Sequence, residues 1–198
     1  MTPWPEPVRL EGRHVVLEPL SPRHAPALAA ASAEGELWRL WYTAVPKPDE
    51  MEAAIAARLR AHEAGQGTPF AILSRQTGEA VGMTSYLNPV PPPVRRVEIG
   101  STWLRRSAQR TPFNTEAKRL LLGHAFEALG CIAVEFRTSF LNHQSRRAIE
   151  RLGAKLDGIL RNHYAPSGDK RDTCVYSVID AEWPLVRRHL DHQLERSS

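Results

Sequence analysis

The stretch that most restricts the fold runs from Val94 to Phe140, where a strand, an Arg-rich loop, an amphipathic helix and a second strand follow one another. Val94 to Leu104 reads as a strand. From about Pro112 to Leu129 the residues Leu121, Ala125 and Leu129 share a helical face with Leu122 and Phe126, Gly130 ends the pattern, and Cys131 to Phe140 is extended again. A helix joining two strands in this way is a crossover that returns the chain parallel. Phe70 to Leu73 and Ala80 to Leu87, joined by the four-residue loop Gln76-Thr77-Gly78-Glu79, precede the unit, so the parallel pair is attached to an antiparallel meander.

The rest of the chain supplies layers. Val8 to Leu20 holds two short extended pieces joined at Glu11-Gly12-Arg13. Ser21-Pro22 opens an Ala-rich helix to about Ser32, and Asp49 caps a second in which Met51, Ala54, Ile55 and Leu59 recur at helical spacing. After Phe140 come a short helix from about Asn142 to Leu152, strands near Ala154 to Arg161 and Thr173 to Ile179, and a polar helix from about residue 180 to 195. The expectation is an α/β (α+β) fold in a single domain over residues 1–198, with its core over about 8–183. At 198 residues, 42% hydrophobic and 24% charged, the composition excludes a disordered or collagen-like chain.

Charge narrows the partners only slightly. The net charge of +4 suits an anionic small molecule or a polyanion, and all basic residues except Lys47, Lys118, Lys155 and Lys170 are Arg, the planar fork suited to phosphate or carboxylate. No motif for reading RNA or DNA is present, so no specific nucleic-acid partner is expected. Cys131 and Cys174 lie in apolar strand-like runs without CxxC spacing and read as buried thiols. His189 and His192 lack a third ligand, so no metal is expected. With no apolar span and no signal-peptide core, the expected location is cytoplasmic and off the membrane.

Two segments carry chemistry. In Gln109-Arg110-Thr111-Pro112-Phe113-Asn114-Thr115 a helix begins beside Arg105, Arg106 and Arg110, and unpaired amides at a helix start attract anions. In Asn142-His143-Gln144-Ser145 an Asn ends a strand and a Ser falls on the first turn of the following helix, an arrangement also common in ordinary capped helices.

Together with the strand order, these segments resemble the GNAT superfamily of N-acetyltransferases, and within it the RimJ/RimL group of ribosomal-protein N-terminal acetyltransferases. The resemblance extends from Val8 to about Trp183 and is strongest from Val97 to Ile179. It implies a mixed, mostly antiparallel sheet of about seven strands, with helices on both faces and with strands four and five splayed apart. The superfamily's loop pattern is Gln or Arg, two free positions, Gly, one free position, then Gly or Ala. Gln109 fits the first place, whereas Pro112 and Asn114 stand where the small residues belong. Proline has no N–H to offer a phosphate, so one donor is lost.

The resemblance implies acetyl-CoA as cosubstrate, its diphosphate held by the amides of Arg110, Thr111, Phe113, Asn114 and Thr115, with Leu104 and Gln109 completing the cofactor side. It places Asn142 on the pantetheine arm and Ser145 beside the departing sulfur. Glu98 matches a strand Glu that takes the amine proton in many relatives, and Tyr164 stands where RimL-like enzymes carry a Glu for that task. Trp38, Trp41, Tyr42, Tyr86 and His163 would line the acceptor cleft. The implied acceptor is a protein or peptide α-amino group, such as a ribosomal protein N-terminus, and the implied assembly a homodimer. A small-molecule acetyltransferase for an amino acid, polyamine or aminoglycoside is the alternative, and a non-catalytic binding domain the third reading. A wide groove favours the peptide; a closed acidic pocket favours the polyamine.

Overall fold

The computed structural model describes residues 4–40, 43–164, 168 and 170–196, without the side chain of Tyr164. Its strands are β1 (Leu10–Glu11), β2 (Val15–Pro19), β3 (Gly67–Ser74), β4 (Ala80–Val90), β5 (Arg96–Leu104), β6 (Ala133–Ser139), β7 (Lys155–Tyr164) and β8 (Lys170–Ile179). They form one eight-stranded sheet in the order β1-β2-β3-β4-β5-β6-β8-β7, antiparallel throughout except for the parallel pair β5 and β6. The eighth strand is β1, the first arm of the hairpin at Gly12. Its turn amides are gathered by one carboxylate: Glu116 accepts Arg13 N–H at 2.8 Å, His14 N–H at 2.6 Å and Val15 N–H at 2.7 Å.

Helices α1 (Ala25–Ala33), α2 (Met51–Glu63), α3 (Pro112–Gly123), α4 (His143–Arg151) and α5 (Trp183–Glu195) cover both faces of the sheet. On one face α1 and α2 pack over β4 and β3 around Leu28, Met51, Ile55, Met83 and Trp103. On the other, Leu121 and Leu122 of α3, Ile149 of α4 and Leu190 of α5 join Phe70, Tyr86, Val134 and Tyr176 in the larger core. The α3 helix is preceded by Thr111, whose hydroxyl accepts the Phe113 amide, and it continues into a π-helical turn over His124–Ala128. Asp49 falls inside a 3-10 turn, Pro48–Glu50, ahead of α2, and so does not cap that helix. Both cysteines are buried and unpaired. Among the described residues no helix is long and apolar enough to cross a membrane.

The parallel pair is short. Only Arg96, Val97 and Glu98 of β5 pair with Ala133, Val134 and Glu135 of β6. Beyond them β5 keeps only its β4 partner and β6 only β8, so the sheet opens between the strands that the sequence reading counted as four and five. A bulge sharpens this opening: the β4–β5 register slips between Met83 and Ser85, and Ser101 adopts a left-handed φ of 48°. The extra residue reverses the alternation, so Val97 and Ile99 face α3 before it, while Leu104 faces α3 and Trp103 faces α1 after it.

Candidate active site

Parallel strands end on the same side of a sheet, so the helices that follow β5 and β6 begin on either side of the opening. Arg151, the last residue of α4, donates to Thr115 Oγ1 in the first turn of α3 at 3.1 Å, which ties the far end of α4 to the start of α3. Between β5 and α3 the chain makes a 3-10 turn at Arg106–Ala108. Gln109 Nε2 donates to the Leu104 carbonyl at 2.9 Å, and Thr111 Oγ1 donates to the Ala108 carbonyl at 2.7 Å. These bonds fold the loop back on itself and force Arg110 to a φ of 59°, a conformation uncommon for a non-glycine residue.

Of the five amides proposed for the diphosphate, only that of Phe113 has a partner outside the helix ladder among the described residues, its own cap hydroxyl at 3.4 Å. The amides of Arg110, Thr111 and Asn114 are left for a ligand, and the exposed Arg110 guanidinium stands beside them. Pro112 occupies the first helical turn, where proline is well tolerated. The segment therefore fits a diphosphate even without its glycines. Thr115 is different: its side chain is buried and its hydroxyl taken by Arg151. Leu104 belongs to the core and contributes its carbonyl to Gln109.

Asn142 caps α4, its Oδ1 accepting the Ser145 amide at 3.0 Å. Its Nδ2 remains available to a ligand carbonyl. The Ser145 hydroxyl is partly exposed and hydrogen-bonds to nothing among the described residues.

Glu98 is the last residue of β5 to pair with β6, so it stands where the two strands part. It is 7% exposed. Its Oε2 accepts Asn88 Nδ2 at 2.8 Å and lies 3.6 Å from Arg137 Nε. Burial raises its carboxyl above the ordinary value, against the Asn88 hydrogen bond and the Arg137 charge, which lower it. By strand register Glu98 shares its face with Glu135 and Arg137 of β6, with Arg171 and Thr173 of β8, and with His163 of β7. His163 Nδ1 lies 3.3 Å from Thr173 Oγ1. This half of the face lies beyond the β3 and β4 positions on which α1 and α2 pack.

One expected cleft residue belongs elsewhere. Tyr86 is fully buried on the α3 face, stacked edge-on against Phe70, and it donates to the Leu121 carbonyl at 2.6 Å. It is a core residue, because a side chain with no exposed surface offers nothing to an acceptor. Trp38 is half-buried in the 3-10 turn Leu37–Arg39. Trp41, Tyr42 and the side chain of Tyr164 lie outside the described residues; the Tyr164 backbone ends β7 opposite Lys170.

Three polar residues around the opening were missed by the sequence reading. Asn88 and Arg137 hold Glu98, and neither position carries a local signal. Lys118 did carry one: it falls three, four and seven residues before Leu121, Leu122 and Ala125, on the apolar face of α3. It is 5% exposed, donates to Thr84 Oγ1 at 3.1 Å and Thr102 Oγ1 at 2.5 Å, and burial lowers its ammonium to about 7.

Residues 14–155 match the model of the acetyltransferase (GNAT) domain. The chain belongs to the GNAT family. It is an N-acetyltransferase domain of the fold that binds acetyl-CoA. A GCN5-related N-acetyltransferase from Brucella melitensis superposes with a TM-score of 0.84 at 32% identity, covering 97% of this chain and 87% of that one. The uncharacterized N-acetyltransferase YoaA of Bacillus subtilis is 25% identical over 173 residues, 86% of this chain and 96% of its own length. The Mycobacterium smegmatis RimJ, solved with CoA-disulfide, shares the fold with a TM-score of 0.78 at 23% identity, covering 98% of this chain and 97% of that one.

Proposed function

We propose that this N-acetyltransferase moves the acetyl group of acetyl-CoA to a peptide or protein α-amino group, with a ribosomal protein N-terminus as the leading candidate. The observation that carries the reading is the opening between β5 and β6, with a cradle of free amides on one side and the Glu98 carboxylate on the other. Thioester and amine then come from opposite faces of the sheet and meet in the gap, which holds them in attacking geometry.

Acetyl-CoA, when bound, supplies an activated acyl carbon whose thiolate can depart. The amides of Arg110, Thr111, Phe113 and Asn114 hold its diphosphate, and the Asn142 side chain holds the pantetheine arm. Backbone amides of β5 at the Ser101 bulge polarise the acyl oxygen. Glu98, as carboxylate, takes the proton the amine gives up as the N–C bond forms, directly or through water. Its burial-raised proton affinity strengthens it as a base. As the C–S bond breaks, the Ser145 hydroxyl gives its proton to sulfur and recovers one from solvent. Tyr164 is the second candidate for proton transfer, and His163, Trp38, Trp41 and Tyr42 form the acceptor side.

The open half-face beyond Glu98, which carries Arg171 and His163 beside the Glu135–Arg137 pair, supports an extended acceptor over a polyamine, which a closed acidic pocket would favour. The resemblance to RimJ and RimL points the same way. A small amino acid is the second reading, because Arg171 on the same face would also meet a free carboxylate. Incubation with acetyl-CoA and a panel of N-terminal peptides, amino acids, polyamines and aminoglycosides, followed by thiol release, tests it: turnover of peptides is expected, and turnover of small amines alone overturns it. The reading places the protein in the cytoplasm, and size measurement in solution tests the homodimer.

A further inference from the structure

We propose that Asn88 and Arg137 are positioning residues for the transfer: both engage Glu98 Oε2, leaving Oε1 as the oxygen presented to the reacting amine. The inference rests on the reading of Glu98 as the proton acceptor and deepens it. Asn88 Nδ2 donates to Oε2 at 2.8 Å from β4, and Arg137 Nε stands 3.6 Å from the same oxygen from β6. Oε1 makes no hydrogen bond among the described residues, yet it is not sealed from solvent. It lies over Gly100, where an added Cβ would sit 3.0 Å from it, two residues past the last β5–β6 pair. A carboxylate held by one oxygen directs the lone pairs of the other, and here the free oxygen is the one above the opening.

The backbone of Asn88 is built for this contact. The β4–β5 register slips between Leu87 and Val90, and Asn88 takes a φ of 46° within that irregularity. Asn tolerates the left-handed region better than most residues and carries an amide donor, so the position combines a conformational and a hydrogen-bonding requirement. Arg137 is anchored in turn, with Nη2 3.0 Å and Nε 3.3 Å from Glu135 Oε2. Arg96 closes the cluster by binding Glu135 Oε1 at 2.6 Å.

The charged groups facing Glu98 are Arg137 and Glu135 from β6 and Arg171 from β8, with Arg96 from its own strand paired to Glu135. Asn88, Arg137 and Arg171 favour the carboxylate, whereas Glu135 and burial oppose it. Removing Asn88 or Arg137 therefore moves the Glu98 titration to higher pH. A fall in activity from general loosening would leave that titration in place.

The test uses the full chain as wild type, Asn88→Gly, which keeps the left-handed backbone accessible, Arg137→Gln, and Glu98→Gln. The Glu98 side-chain carboxyl is followed by 13C NMR against pH, assigned by its disappearance in Glu98→Gln. The acid limb of kcat/KM is measured in parallel, with the peptide that turns over fastest in the panel. In Asn88→Gly and Arg137→Gln both the carboxyl titration and the acid limb are expected to move up by about half to one pH unit. Arg137→Gln should regain activity above the shifted limb, because Asn88 still holds Oε2. A carboxyl that titrates at the same pH in all three proteins overturns the positioning. A carboxyl that moves while the acid limb stays, or full turnover by Glu98→Gln, shows instead that Glu98 takes no proton, and the inference falls with that reading. The exposed Arg137 site keeps the test decisive if Asn88→Gly fails to fold.

Discussion

Thr102 Oγ1 accepts a hydrogen bond from Lys118 Nζ at 2.5 Å, one residue after the left-handed Ser101 that bends β5 away from β6. Thr84 of β4 accepts from the same ammonium, so a single α3 side chain ties the two strands together at the bulge.

Among the described residues that ammonium has no carboxylate partner, and burial lowers its proton affinity to about 7. The unfolded chain keeps the proton up to the ordinary value of 10.5, so between these limits the unfolded state binds more protons and stability rises with pH. Lys118→Met should abolish this dependence. The difference in unfolding free energy, wild type minus variant, should stay flat below pH 7 and then rise by about 1.4 kcal/mol per unit. Urea titrations from pH 6 to 10 read it, and parallel curves for the two proteins would show that Lys118 is solvated.

Glu116 holds the β1–β2 turn through three backbone amides, and a Cβ on Gly12 would lie 2.4 Å from its carboxylate. Glu116→Ala leaves these donors in a partly buried site, a loss of about 3–5 kcal/mol. The expected fall in Tm is about 6–20 °C. Gly12→Ala should destabilise through the same contact, and calorimetry showing both variants within a degree of wild type would refute the assignment.

How far the sequence reached differs between fold and site. The crossover and the meander were legible because their periodicities are local: the α3 stripe and the β3–β5 alternation need no knowledge of what they face. Insertion of β8 between β6 and β7 was not, since it depends on Val134 meeting Val178 across more than forty residues of chain. The π-turn at His124–Ala128 also leaves the apolar stripe nearly unchanged in sequence. Within the site, the helix start over Gln109 to Asn114, proposed here to hold the diphosphate, was readable as a helix start because such starts have chemical signatures. Tyr86 misled, as a strand aromatic has the same pattern whether it faces a core or a cleft. Glu98 could be singled out, but Asn88 and Arg137 could not, because they meet it only through the fold.

Gly100 keeps space for the free oxygen of Glu98. In Gly100→Ala the new methyl would approach Leu87 Cδ1 to 2.7 Å and Glu98 Oε1 to 3.0 Å, both at side-chain ends. Stability should change little, while displacement of the carboxylate lowers turnover at least about tenfold. Equal kcat in both proteins would show that the carboxylate position is immaterial.

Ser145 separates structure from chemistry cleanly, since the cap on α4 uses its amide and not its hydroxyl. Ser145→Ala should therefore keep the Tm and the affinity for acetyl-CoA, yet reduce turnover at least about tenfold. Unchanged turnover removes it from proton transfer to sulfur.

The account stands on the amides of Arg110, Thr111, Phe113 and Asn114 holding the diphosphate of acetyl-CoA although Pro112 contributes none. An 15N-resolved NMR titration with CoA reads those amides individually. Saturable shifts largest at these four residues are the predicted result; no binding at millimolar CoA, or binding that leaves all four resonances in place, would contradict it.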